Sequence, residues 1–199
     1  MAWNMSAIFI DKRCDPKELI SQIFLDEHEV MKTTNLEETL YPQKLSIGFY
    51  KDCTIFCDPE LPFECFNEGL SEFEEQLLEI FPEQKILSAV LYSAAKEYGY
   101  SYYENGVRLR AKSGNKDDGV CCDHGDLLSE EEELLKNSRV QADGSRVYIL
   151  NIDGLSEEYA EEELGEEHVF ALTQRFFGER LDKLDLWDIA MDVYREMGR

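Results

Sequence analysis

The sequence predicts an α+β protein, an antiparallel β meander of hairpins with helices packed on one side. Three observations carry this. Two tight-turn signals, Lys51-Asp52 and Asn105-Gly106, sit between runs that alternate apolar and polar residues. Capped helix starts are interspersed with these hairpins, at Asp15-Pro16 and at Ser71. No strand–helix–strand unit repeats, so a parallel sheet is not expected.

The elements follow in order. Residues 5–10 form a short buried strand. Asp15 can accept from orphan backbone N–H groups, Pro16 fits the first helical position, and Glu18 favours the positive end of the dipole. Leu19, Ile20, Ile23 and Phe24 make that helix's apolar face. Thr34 to Glu37 has capping-box spacing for a second, short start. Residues 44–58 read as a hairpin ended by Asp58-Pro59. Ser71 and Glu74 open a helix that Pro82 ends. Residues 86–92 read as a strand.

Tyr98 to Tyr103 alternates with small residues, and Asn105-Gly106 suits a type I′ turn. On the return strand Val107, Leu109 and Ala111 are expected to face the core, with Arg108, Arg110 and Lys112 on the other face. Tyr100, Tyr102, Arg108 and Arg110 are then candidates for an exposed binding face, since Tyr and Arg are enriched at interface hot spots. Ordinary cross-strand Tyr–Arg packing is the plainer expectation. A strand at 119–122, a helix from Ser129, a strand at 147–152, and a helix at 165–177 closed by Gly178 complete the pattern. Leu184 to Met197 reads as an amphipathic helix with Leu186, Trp187, Ala190, Val193, Tyr194 and Met197 on one face. The 199 residues suit a single α+β domain, with a sheet-rich part at 1–125 and an acidic, mostly helical part at 126–199.

The net charge is −23, from 43 acidic and 20 basic residues. Residues 128–167 hold 13 acidic and 3 basic side chains, a net of −10. Such a surface repels nucleic-acid phosphates and anionic membranes; its complement is a basic protein partner. No apolar run reaches the length of a membrane span, and the first six residues lack the pattern of a signal peptide, so a cytoplasmic location is expected. In a reducing compartment the six cysteines are expected as thiols.

Site motifs are weak. Cys53, Cys57, Cys122 and His124 supply soft ligands for zinc, but no second pair repeats the Cys53-x3-Cys57 spacing, and buried core thiols are the stronger expectation. Cys122, Asp123 and His124 are the local candidates for nucleophilic catalysis. Asp117-Asp118-Gly119 and residues 151–154 resemble pieces of calcium loops and are better read as turns. Phosphate-loop and dinucleotide glycine motifs are absent, and no cofactor is expected. Two readings stand: a non-enzymatic, immunity-like domain acting on a basic partner, and a small hydrolase or metal enzyme centred on His124.

Three stretches carry a family likeness: Leu40-Tyr41-Pro42 with Ile47-Gly48-Phe49 and Cys57-Asp58-Pro59; Ser93 through the Tyr-rich strand to Glu104-Asn105-Gly106-Val107-Arg108; and Leu164-Gly165-Glu166-Glu167 leading to Phe177-Gly178. On these the chain resembles an uncharacterised bacterial family classed only as a domain of unknown function. The resemblance implies a bacterial origin and a single-domain fold, and no mechanism. Members of that family usually carry a Trp near the position of Tyr98, where this chain departs.

Overall fold

Continuous apolar strands need cover on both faces, and Met5–Ile10 and Ile86–Leu91 are buried throughout. The computed structural model describes residues 3–142, 144, 146–152 and 155–197, without the side chains of residues 151, 152 and 162. Two residues of the turn expected at 151–154, Asp153 and Gly154, lie outside that description.

Along the chain, the strands of the large sheet are β1 (Asn4–Ile10), β2 (His28–Asn35), β3 (Ser46–Tyr50), β4 (Cys53–Cys57), β5 (Ile86–Tyr92), β6 (Glu97–Glu104), β7 (Val107–Asn115), β8 (Gly119–Gly125) and β12 (Ala190–Glu196). They pair antiparallel in the spatial order β2-β12-β3-β4-β1-β5-β6-β7-β8. A smaller sheet joins β9 (Ser138–Val140), β10 (Arg146–Ile152) and β11 (Leu155–Ala160), with β10 central. The helices are α1 (Pro16–Ile23), α2 (Leu36–Thr39), α3 (Glu72–Ile80), α4 (Ser129–Lys136) and α5 (Gly165–Phe177).

Local signals place most of these. The Asp15 carboxylate accepts from the N–H groups of Lys17 and Glu18. Ser71 and Glu74 form a reciprocal capping box on α3. Asn105 and Gly106 both have positive φ, 53° and 72°, as a type I′ turn requires. Gly178 ends α5 in the left-handed region. The cap of α2 is Asn35, one residue after the expected Thr34.

Four expectations are corrected. The helices cover both faces of the sheet, not one. Leu19 and Ile20 of α1 and Phe73 and Leu77 of α3 pack with Ile8, Ile10, Ile47, Phe56 and Ile86. On the other face Val169, Phe170, Leu172 and Phe177 of α5 pack with Met5, Ala7, Phe9, Ile55 and Leu87. Next, residues 190–196 form a strand inserted between β2 and β3, preceded by a 3-10 turn, Leu186–Asp188, and not a helix. Its partners are more than 140 residues away, so no local pattern announced it. Third, among the described residues the part from 126 onwards carries four strands beside two α-helices and three 3-10 turns, and is not mostly helical. Fourth, β7 does not alternate as expected. Ala111 is buried, but Val107 and Leu109 are 56% and 40% exposed, and Arg110 and Lys112 are buried as well.

A bulge breaks the alternation. Tyr102 lies opposite Arg110 and Tyr103 opposite Arg108, which leaves Leu109 as an extra residue in β7. Arg108 and Arg110 therefore face opposite sides of the sheet, although two positions apart in a regular strand share a side. Gly125 crosses the bulge so closely that a Cβ there would meet the Leu109 carbonyl oxygen at 2.1 Å.

Candidate functional site

The densest polar chemistry lies where β6, β7 and β8 meet α4 and α5. Arg110 is 0% exposed. Its Nε donates to both Glu131 oxygens at 3.1 and 2.9 Å, and Nη2 donates to Glu131 Oε1 at 2.8 Å. Nη1 donates to Asp123 at 2.5 Å and to the carbonyls of His124 and Gly125, both at 3.1 Å. Lys112 Nζ, two residues on and on the same side, reaches Glu161 at 2.7 Å. Tyr98, Tyr100 and His168 line the same region.

Glu131 is placed by its own helix. It occupies the third position of α4 and accepts from the Leu128 N–H at 3.0 Å. Burial alone would raise its carboxyl, but Arg110 and that N–H outweigh burial and hold it below the ordinary range. Burial also opposes the charge on Arg110, and Glu131 with Asp123 more than offsets it. Such a pair is strong when complete and costly when broken.

The other titratable groups here are held in their neutral forms. Burial, followed by the charge of Lys112, lowers His168 to about 4. Burial, with Glu131 as the next cause, pushes the Tyr100 phenol well up; Tyr98 is raised by burial and by Glu161. Among the described residues, the hydroxyls of Tyr98 and Tyr100 and Nδ1 of His168 are buried without a hydrogen bond. A general acid or base works best with a pKa near the operating pH, and none of these groups has one.

The residues singled out from sequence fall as follows. Tyr100 and Tyr102 pair across the strands with Lys112 and Arg110, but all four are interior, so the exposed Tyr–Arg face does not exist. Arg108 is also buried, on the opposite side, donating to Glu74 at 2.9 Å beside the Tyr103 hydroxyl, which donates to the same oxygen at 2.7 Å. Cys122 is buried with its thiol raised, first by burial, while the His124 side chain is exposed. Asp123 points to the other side and pairs with Arg110, so it cannot orient His124. Cys53 and Cys57 are core thiols pushed up to about 12 by burial. They lie on β4, five strands from β8, roughly 24 Å at the usual strand spacing, so the set Cys53, Cys57, Cys122 and His124 does not converge. Among the described residues no group of three His, Cys, Asp or Glu side chains could hold a metal ion. Asn115 accepts from the N–H groups of Asp117 and Asp118, making the expected turn there.

Sequence reading missed Glu131 as the partner of Arg110. The four consecutive glutamates at 130–133 mark a helix start, but which of them turns inward depends on how α4 docks. A cavity of about 200 Å³ at the start of α5 is lined by Ser93, Lys96, Tyr98, Glu163 and Glu166. Two pairs of its polar groups satisfy each other, Ser93 with Glu166 and Lys96 with Glu163.

No helix among the described residues is long and apolar enough to cross a membrane. No curated protein and no solved structure matches the chain. A family model does, over residues 12–191: the chain belongs to a family of unknown function, DUF6928.

Proposed function

We propose that this member of DUF6928 is a non-enzymatic protein-binding domain that neutralises a basic protein partner in the cytoplasm, in the manner of an immunity protein. One observation carries the reading. Arg108, Arg110 and Lys112 are each matched inside the fold by a carboxylate, Glu74, Glu131 and Glu161, so these pairs cancel and the net charge of −23 is carried by the rest of the chain. The exterior of the acidic segment keeps Glu132, Glu133, Glu157 and Glu158 exposed. Complementary charge of this kind accelerates encounter and disfavours wrong partners. Six free cysteines suit a reducing compartment.

The test is affinity capture from native lysate at about 0.05 M salt, with elution toward about 0.5 M. The expected outcome is a basic protein released by salt and held less well by the Glu132→Gln/Glu133→Gln variant. Recovery of no salt-released partner, or only of acidic ones, sinks the reading.

A further inference from the structure

Four aromatic rings touch in sequence along the surface where the 3-10 turn Leu61–Cys65 meets β5. Tyr41 meets Tyr92 edge-on with centroids 5.7 Å apart, Tyr92 stacks with Phe63 at 6.0 Å, and Phe63 meets Phe66 edge-on at 6.4 Å. Tyr41 is 51% and Phe63 37% exposed, with Tyr92 and Phe66 half-buried between and beside them. Each ring is held by the next, so the ridge is ordered before anything binds, which lowers the entropy lost on binding.

A cavity of about 190 Å³ adjoins Phe63 and Phe66 and is also lined by Glu97, Asn115 and Cys121. Glu97 lies opposite Tyr92 across the β5–β6 pair. The Tyr92 phenol is raised by burial, then by Tyr41, then by the charge of Glu97. Among the described residues no lysine or arginine pairs with Glu97; its neighbour Lys96 is taken by Glu163. An aromatic ridge thus lies alongside an unpaired carboxylate.

We infer that this ridge, from Tyr41 to Phe66 with Glu97 at its foot, docks an extended arginine-bearing segment of the basic partner. The inference rests on the partner reading above and names where that partner binds. Charge complementarity selects the occupant. Ring faces attract cations, and the carboxylate adds a full charge beside them. Arginine fits better than lysine because its planar guanidinium stacks on rings while its fork engages a carboxylate. The chain uses this stacking internally, with Arg13 over Phe49 at 4.3 Å and Arg175 over Tyr102 at 4.7 Å. An uncharged segment would leave Glu97 covered and unpaired, and a second copy would bring two surfaces of the same strong charge together.

The experiment is calorimetric titration of the intact protein with two synthetic peptides of equal length and charge, alternating glycine with arginine or with lysine. The arginine peptide is expected to bind about tenfold more tightly. Phe63→Ala, and separately the more exposed Tyr41→Ala, are each expected to erase most of that preference while melting near the parent temperature; Glu97→Gln weakens both peptides. Equal binding of the two peptides, unaffected by the ring variants, overturns the ridge and leaves the acidic-surface reading standing. No binding of either peptide at low salt overturns both. A dimer in sedimentation that Phe63→Ala dissolves overturns the ridge in favour of a second copy.

Discussion

Under α1 and α3 the large sheet buries one arginine, Arg108, against one carboxylate, Glu74. Under α4 and α5 it buries Arg110 and Lys112 and meets them with Glu131, Asp123 and Glu161. The two faces share a device. In each, an arginine of β7 binds the glutamate at the third position of a helix, and that glutamate also accepts from the backbone N–H that starts the helix. They differ in what surrounds it. Glu74 is supported by one further donor, the Tyr103 hydroxyl, within an otherwise apolar layer. Around Glu131 stand a second cation, a buried neutral histidine and unbonded tyrosine hydroxyls. One bulge, at Leu109, distributes the two arginines between these settings. Helix starts and sheet are thus locked together by charge, and the lock is more elaborate on the α4 side.

The largest expected effect tests that asymmetry. Arg110→Met leaves Glu131 buried without its cation and is expected to cost about 3–5 kcal/mol in urea denaturation. Arg108→Met is expected to cost less, because the Tyr103 hydroxyl still serves Glu74. Adding Glu131→Leu to Arg110→Met restores part of the loss, since a buried pair replaced by apolar groups leaves no stranded charge. Equal losses for the two arginines would erase the contrast between the faces.

The second effect is pH dependence on the α4 side. His168 titrates near 6.5 in an unfolded chain and about 4 in the fold. Between those values the unfolded chain binds more protons, so stability falls as pH drops from about 6.5 toward 4, by up to about 3 kcal/mol. Glu131 acts lower. Its carboxyl is depressed in the fold, so its contribution is present above the unfolded value near 4.3 and is lost as pH falls through the folded one. Denaturation at stepped pH is expected to show a slope from 6.5 to 4 that His168→Gln flattens. A slope unchanged by that substitution would show that His168 is not the group responsible.

The smallest effect sharpens the contrast between local and distant pairing. A Cβ at Gly48 would meet Met191 Sδ at 2.2 Å and the Ala190 carbonyl oxygen at 2.4 Å. Gly48→Ala is therefore expected to cost about 1–3 kcal/mol by thermal melting. No loss would mean that β12 does not sit against β3.

Residues close in sequence settled their own conformation. Asp15 with Pro16, Ser71 with Glu74, Lys51-Asp52 and Asn105-Gly106 act through hydrogen bonds and φ values within a few positions, and each stands in the fold where its chemistry predicts. The burial of β1 was legible too, from its mostly apolar run, and β5 was legible as a strand. The family likeness likewise agreed with the matched family. What the tertiary structure alone decided is orientation and partnership. Val107, Leu109 and Ala111 alternate as a core face should, yet one extra residue in the pairing leaves only Ala111 buried, because a period of two makes every side chain's direction depend on register. Residues 190–196 satisfy a helical pattern, yet β2 and β3 offer two ladders of backbone partners, and that distant pairing outweighs a local preference. The strong negative charge could be counted in the chain; that Arg108, Arg110 and Lys112 lie inside, each against a carboxylate, is a consequence of packing.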